Sequence, residues 1–514
     1  MLKKLFACAL LSLPLLAPAQ KKDKNAVKAA SSITVEDLKK HLYVIAGKEM
    51  EGRNTPSPGL EKAADYIEAH FKSLGLTPGN NGSYRQYYPL YRDSMVSASL
   101  KINGTALEPN KDFQAQASNY AASMRFSEVV FAGYGISDGD KRDDYRDLKV
   151  GGKLVLILDG TPADYKPAQS GFSSPASSFG KINAAMNKGV AGLLIINTSF
   201  PRRAMNTASN WSLNGYKAAQ APFTFSISAE AAGKILGEDA KTLVDKIKSG
   251  TLAYKSYPAE IDMEYARTTK TSKAGNVIGV LEGTDLKDEY VFITAHYDHL
   301  GMRDTVIYYG ADDDGSGTTG VLEIAEAFVK AKQAGHGPRR TIVFMTVSGE
   351  EKGLWGSGYY NNHPLFPQDK TTVDLNIDMI GRSDASRKQG DSTNYVYVVG
   401  DDKISSDLKP ISETVNKLYS KMELDYKFND PKDPNRIYFR SDHYNFAQKG
   451  IPIIFYYDGM LGADYHRPTD TPDKIQYELF AKRARLIFHT AWEMANRDAL
   501  LKRDIKLEIP SRGF

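Results

Sequence analysis

The segment that decides the fold reads VFITAHYDHLG over residues 291–301, YYGADDDGSGTTG over 308–320 and TIVFMTVSGEE over 341–351. Two apolar runs each end in acids or imidazoles, and a glycine-bounded acidic turn lies between them. The plan recurs farther along, where VDLNIDMIG (373–381) carries Asp378 and IPIIFYY (451–457) is followed by ADYHRPTD (463–470) with His466. Short apolar runs rich in β-branched and aromatic residues read as strands buried on both faces. Helical patterns at 321–332, 412–422 and 477–496 alternate with them. The order predicts an α/β fold, a mixed and mostly parallel sheet with helices on both faces. Ligands of such sheets collect beyond the carboxyl ends of the strands, which is where these polar side chains stand.

Their chemistry points to metal. His296 and Asp298 are two apart at a strand end, so both side chains leave on the same side, and a histidine ligand gives its second ring proton to such a carboxylate. Asp312, Asp313 and Asp314 begin a near-match to a calcium EF-hand loop, with Gly317 sixth and Glu323 twelfth. Ser316 fills the fifth position, and the strand-like VIYYGA stands where that motif needs a helix. A carboxylate of this turn bridging two metals is the better account. Adjacent Glu350 and Glu351 after a buried strand are costly unless a positive group compensates. A metal on one of them leaves the other as base. Asp378 and His466 complete a set of two His, two Asp and one Glu that suits zinc, with cobalt or manganese as substitutes. His299 is left out of the set because the pattern does not fix its direction. His443 falls near the set without a ligand's role, and His41, His70, His336, His363 and His489 read as surface or structural residues.

A chain of 514 residues exceeds one ordinary core. At 41% hydrophobic and 25% charged the composition is globular, and a net charge of +4 spread along the chain gives no footprint for nucleic acid. Residues 1–19 read as a secretory signal: Lys3 and Lys4, the apolar LFACALLSLPLLA, then Ala17-Pro18-Ala19. The run is too short and proline-broken for a membrane span of about 20 residues. No integral membrane span is therefore expected once the signal is removed, and the chain is expected to be secreted or periplasmic. Cys8 is the only cysteine, so no disulfide holds the mature chain. Residues 20–31 are expected as a flexible leader. Thr34 and Ser57 are placed to cap helices, with Pro58 at a first helical position. The stretch 116–262 carries no dense His/Asp/Glu cluster and reads as a β-rich insert between host segments 32–115 and 263–514.

With these residues in hand, the sequence resembles the co-catalytic dizinc aminopeptidase family, whose members include aminopeptidase Y, bacterial leucyl aminopeptidases, glutamate carboxypeptidase and transferrin receptor. The resemblance rests on EGRNTPSPGLEKAADYIEAHFKSLGL, NVIGVLEGT, AHYDHLG, GADDDGSG, SGEEKGLWGS, NIDMIGR, RSDHYNFAQKGIPIIF and YHRPTDT. It implies two zinc ions bridged by Asp313, with a cis bond from Asp313 to Asp314. His296 and Asp378 would complete one ion's ligands, and Glu351 and His466 the other's. Glu350 matches the general base, Asp298 the orienter of His296, and Tyr438 the tyrosine that steadies the oxyanion. The stretch 116–262 resembles a protease-associated α+β domain. The implied activity is release of N-terminal residues from peptides, by attack of a hydroxide held between the metals, and a homodimer is compatible with it. Alternatives are a carboxypeptidase acting on acidic peptides, which needs arginines such as Arg382, Arg436 and Arg440 to converge, and a glutaminyl cyclase. A transferrin-receptor-like binding ectodomain is the non-enzyme reading, weakened by a complete ligand set.

Overall fold

The computed structural model describes residues 21–508 except 118, 168–170, 172, 173, 205, 216–220, 431 and 463. The expected signal segment, 1–19, lies outside the described residues. The chain divides into two compact units, one of residues 1–88 and 273–514, the other of 89–272.

In the first unit the strands lie in the order Glu423–Asp425, Tyr395–Val399, Ile453–Tyr457, Thr371–Ile377, Leu286–His296, Arg340–Val347 and residues 277–281 of the long strand Ser256–Leu281. The pairs Leu286–His296 with Arg340–Val347, Leu286–His296 with Thr371–Ile377, and Thr371–Ile377 with Ile453–Tyr457 are parallel. The edges bring antiparallel pairs, at 277–281 on one side and between Tyr395–Val399 and Ile453–Tyr457 on the other. The sheet is thus mixed and mostly parallel, as the apolar runs imply.

Side-chain alternation explains why both faces need cover. Phe292 opposes Val343 in register, so Phe292 and Phe344 project from opposite faces. Phe292 meets Tyr360 and Phe446, from the helices Trp355–Asn362 and His443–Ala447. Phe344 meets Phe71 and Phe328, from the helices Pro58–Ser73 and Gly317–Gln333, and Phe328 stacks on Trp492 of Tyr477–Asn496. Register also aligns the strand ends. His296 opposes Val347, and Ile377 opposes Tyr456. Four strands therefore finish together along one edge of the sheet.

The N-terminal helices follow their caps. Thr34 Oγ1 accepts the Asp37 amide at 3.1 Å and donates to Asp37 Oδ2 at 2.8 Å, opening Val35–Ile45. Ser57 accepts the Leu60 amide at 3.2 Å, ahead of Pro58. The leader expected at 20–31 is corrected: Lys24–Ala30 is helical, capped by Asp23, with Ala26, Ala29 and Ala30 buried. The cap itself is anchored, because Asp23 Oδ2 accepts the Trp492 indole N–H at 3.0 Å. An alanine stripe carries little hydrophobic signal, which is why the sequence pattern passes over it.

The second unit has its own strands, Phe113–Ala115, Ala122–Phe131, Leu154–Leu158, Gly192–Ile196 and Phe223–Ile227. Its helices are Ser178–Asn187, Ala229–Leu236 and Ala240–Lys248. Its core gathers Phe113, Leu156, Leu194, Phe223, Phe225 and Ile261. The unit is longer at each end than the expected insert of 116–262, because the strands Arg85–Ile102 and Ser256–Leu281 run across its limits without a turn to mark them. No helix among the described residues is long and apolar enough to cross a membrane.

Candidate metal centre

The aligned strand ends deliver the centre. His296 is the last residue of its strand, Glu350 and Glu351 sit in the turn after Arg340–Val347, and Asp378 follows Ile377. Asp313 comes from the helical turn Ala311–Ser316, where it and Asp314 depart from helical angles and are joined by a cis peptide bond. His466 arrives from the loop beyond Ile453–Tyr457, held at φ 57°, a left-handed conformation that a non-glycine residue keeps only when its surroundings fix it.

All five residues expected as ligands converge. His296 Nε2 lies 3.3 Å from Asp313 Oδ1 and 3.6 Å from Asp378 Oδ1. His466 Nε2 lies 3.2 Å from Asp313 Oδ2 and 3.1 Å from Glu351 Oε2. Asp313 thus turns one oxygen to each histidine. His299, which the pattern left out, belongs here too. Its Nδ1 is 2.9 Å from Glu351 Oε1 and 3.9 Å from Asp313 Oδ2. One ligand atom from each of His296, Asp313 and Asp378 can lie within 4.8 Å of the others, and the same holds for His299, Asp313 and Glu351.

The polar atoms themselves test whether a cation fits. His296 Nε2, both ring nitrogens of His299, Asp313 Oδ2 and Glu351 Oε1 are buried with no hydrogen-bond partner of suitable geometry. Leaving so many donor and acceptor atoms unsatisfied costs of order 1–3 kcal/mol each, whereas a cation satisfies them together. The donor set of imidazole and carboxylate is that of zinc. Electrostatics agree. Burial opposes charge on Asp313, yet the rings of His296, His466 and His299 hold its carboxyl well below the usual range. Burial likewise opposes charge on His466, but Asp313 and Glu351 raise it to about 10. The imidazoles are in effect asked to carry positive charge.

Glu350 behaves differently. Burial, followed by repulsion from Glu351, Asp378 and Asp442, pushes its carboxyl well above the usual range, with His296 alone among its stronger neighbours opposing. Its Oε2 reaches 3.9 Å from His296 Nε2, the profile of a proton carrier beside the ligands. Asp298 is fully buried: its Oδ1 accepts the Glu350 amide at 3.1 Å and stands 3.7 Å from His296 Nδ1, while Oδ2 accepts from Thr55 Oγ1 at 3.1 Å.

Supporting groups fix the loops. Asp314 accepts the amides of His296, Gly317 and Met379. Asp470 accepts those of Asp312 and Asp313. Arg53, wholly buried, donates to the carbonyls of Ile45, Tyr297, Tyr309 and Gly310 at 2.7–2.9 Å.

The tyrosine beside the cluster is Tyr465. Its ring stacks on His466 at 3.9 Å between centroids, its hydroxyl accepts from Arg440 at 2.9 Å, and burial together with Asp313 raises its pKa. Tyr438 lines a neighbouring cavity of about 970 Å³ with Asp402, Phe428 and Ile505, and its hydroxyl is buried without a partner. A shallow cleft at the cluster is lined by Asp313, Glu350 and Asp378 together with Ile437, Phe455, Tyr457, Leu461 and Tyr465.

Residues 276–491 match the model of peptidase family M28. A probable leucine aminopeptidase of Arthroderma otae is 32% identical over 214 residues, 40% of this chain and 55% of that protein, so the chain spans about half of that relative's length. Aminopeptidase YwaD of Bacillus subtilis is 24% identical over 409 residues, 77% of this chain and 74% of the relative. Among solved structures, an aminopeptidase from Aneurinibacillus sp. strain AM-1 shares the fold with a TM-score of 0.53, at 20% identity, over 94% of this chain and 99% of that one.

Proposed function

We propose that this chain, whose residues 276–491 match the model of peptidase family M28, is a zinc-dependent aminopeptidase of that family, releasing N-terminal residues from peptides. The observation that carries the reading is Asp313, whose two oxygens serve two separate ligand groups. His296 and Asp378 would hold one zinc ion, and Glu351 and His466 the other, with His299 against the second group. When bound, such a pair supplies Lewis acidity and a solvent nucleophile of lowered pKa.

The remaining steps fall to the chain's own side chains. Glu350, 3.9 Å from His296 Nε2 and outside both ligand groups, removes the proton from the attacking water and passes it to the departing amine. Asp298 keeps His296 and the Glu350 backbone in register. Tyr465, with Arg440 donating to its hydroxyl, stands where it can donate to the developing oxyanion, and we assign it the role expected for Tyr438. The apolar wall of Ile437, Phe455, Tyr457 and Leu461 suits an apolar first residue.

The unit of residues 89–272 is read as a non-catalytic module of the protease-associated type, and all nine histidines of the chain lie outside it. Residues 1–19 are read as a signal that directs the chain out of the cytoplasm. Zinc analysis paired with amino-acyl chromogenic amides, N-blocked amides and peptides with acidic carboxyl ends tests the whole reading. Two zinc ions per chain at this centre and cleavage of free amino-acyl amides alone are expected. Turnover confined to N-blocked substrates, or undiminished after chelation, overturns it.

A further inference from the structure

The helices beside the first unit's sheet hold a second cluster of imidazoles and carboxylates, which shares no residue with the candidate centre. His41 stands on Val35–Ile45, His70 on Pro58–Ser73, and Glu323 and Glu326 on successive turns of Gly317–Gln333. Both histidines read from sequence as surface or structural residues. His41 is buried, its Nδ1 lies 2.8 Å from the Tyr66 hydroxyl, and its Nε2 lies 3.4 Å from Glu323 Oε1. The His70 ring meets His41 edge-on at 4.6 Å, and its Nε2 is buried with no hydrogen-bond partner. One ligand atom from each of His41, His70 and Glu326 lies within 4.8 Å of the others.

Glu323 decides the matter. It is 1% exposed, and neither of its carboxylate oxygens has a hydrogen-bond partner. Burial, then Glu326 and Asp37, push its pKa up to about 8. Protonation removes the charge but leaves the second oxygen unsatisfied, at a cost of order 1–3 kcal/mol. Lys330 opposes the rise in pKa from its pairing with Glu326 Oε1 at 2.5 Å but gives Glu323 no hydrogen bond. In the tautomer whose Nδ1–H donates to the Tyr66 hydroxyl, His41 Nε2 presents its lone pair to the acids, the arrangement that orients an imidazole ligand.

We propose that His41, His70, Glu323 and Glu326 form a separate binding site for a divalent cation of the zinc class. Ligand atoms of His41, His70 and Glu326 lie close enough together to share one ion, and Glu323 Oε1, 3.4 Å from His41 Nε2, stands beside them as the fourth donor, the ligand count of a structural ion. Such an ion pins Val35–Ile45 and Pro58–Ser73 onto Gly317–Gln333, the helix that continues from the Asp313 turn.

The test counts zinc per chain, by mass spectrometry after exhaustive dialysis, in the full chain and in its His70→Gln and Glu323→Gln variants. Each variant is expected to hold one zinc fewer, to lose the visible bands of one tetrahedral site when loaded with cobalt, and to retain hydrolysis of amino-acyl amides. Every chain keeps the same candidate centre, so the difference reads this site alone. Equal zinc content in all three overturns the proposal. Should the two variants lose their helical circular dichroism, Tyr66→Phe retains every ligand and is expected to weaken zinc binding by about tenfold. Unchanged affinity in that variant also overturns it.

Discussion

Asp298 accepts the backbone N–H of Glu350 at 3.1 Å from a position in which it is wholly buried. Its backbone carbonyl meets His296 Nδ1 at 3.1 Å while its carboxylate stands 3.7 Å from that nitrogen, so one residue sets both the His296 ring and the turn that carries Glu350. Asp298→Asn preserves shape and removes the charge. kcat for an amino-acyl amide is expected to fall by about 10- to 100-fold with little change in KM. Full activity in this variant would leave Asp298 with a packing role only.

Glu350 reaches toward the ligands without being needed to complete either group. Glu350→Gln is expected to lower kcat by about 10²- to 10⁴-fold while zinc content stays at the wild-type level. Parallel loss of zinc would mark Glu350 as a ligand instead.

Tyr465 and Tyr438 compete for one role, and their surroundings separate them. Tyr465→Phe is expected to cost about 10²- to 10³-fold in kcat, the scale of a lost oxyanion donor. Tyr438→Phe should leave kcat close to normal, since its hydroxyl has no partner and the residue lines the other cavity. Steady-state kinetics on both variants decides between them.

Arg53 satisfies four carbonyls from inside the protein. Burial draws its pKa down to about 10, with Asp298, Asp470 and Asp313 opposing that fall. Arg53→Met should lower the free energy of unfolding by at least about 3 kcal/mol, read from the denaturant midpoint. Arg53→Lys should not rescue it, because one ammonium cannot reproduce the planar fork.

His443 gives a pH signature. Burial pulls its pKa down to about 3, against a weaker upward pull from the Tyr438 carbonyl. Nε2 bonds that carbonyl at 2.8 Å, and the ring stacks on Phe455 at 4.7 Å. Below pH 6.5 the unfolded chain takes up a proton that the folded ring refuses until about 3. Its contribution is therefore intact above pH 6.5 and fades on acidification toward 3, by roughly 1.4 kcal/mol per pH unit. The stability difference between wild type and His443→Gln should shrink at that slope, and a flat difference would refute a buried neutral ring.

Much of this candidate centre is legible in the sequence because His296 and Asp378 close apolar runs, while Glu350, Glu351 and His466 stand in the loops beyond two others. The run fixes the strand, and parallel packing fixes where the strand ends. His299 was not legible: three residues past His296, beyond the strand end, its direction depends on a loop held by Arg53 and Asn54. The stacking of Tyr465 on His466 was masked, since the histidine of YHRPTDT absorbed the motif's meaning. The grouping of His41 with His70 and Glu323 joins residues from three helices, and no local spacing brings them together. The limits of the second unit fall inside two unbroken strands, where composition does not change.

Asp314 binds nothing itself, yet it ties the amides of His296, Gly317 and Met379 to a single carboxylate. Drift in any one of those three segments would be transmitted to the others, so the chemistry of this edge is inherited as a block. The wall formed by Ile437, Phe455, Tyr457 and Leu461 lies outside that knot, held instead by the sheet pairing of Ile453–Tyr457 and by the Asp433 carboxylate that accepts the Ile437 amide. Side chains at that wall can accordingly be exchanged without disturbing the three amides that Asp314 gathers.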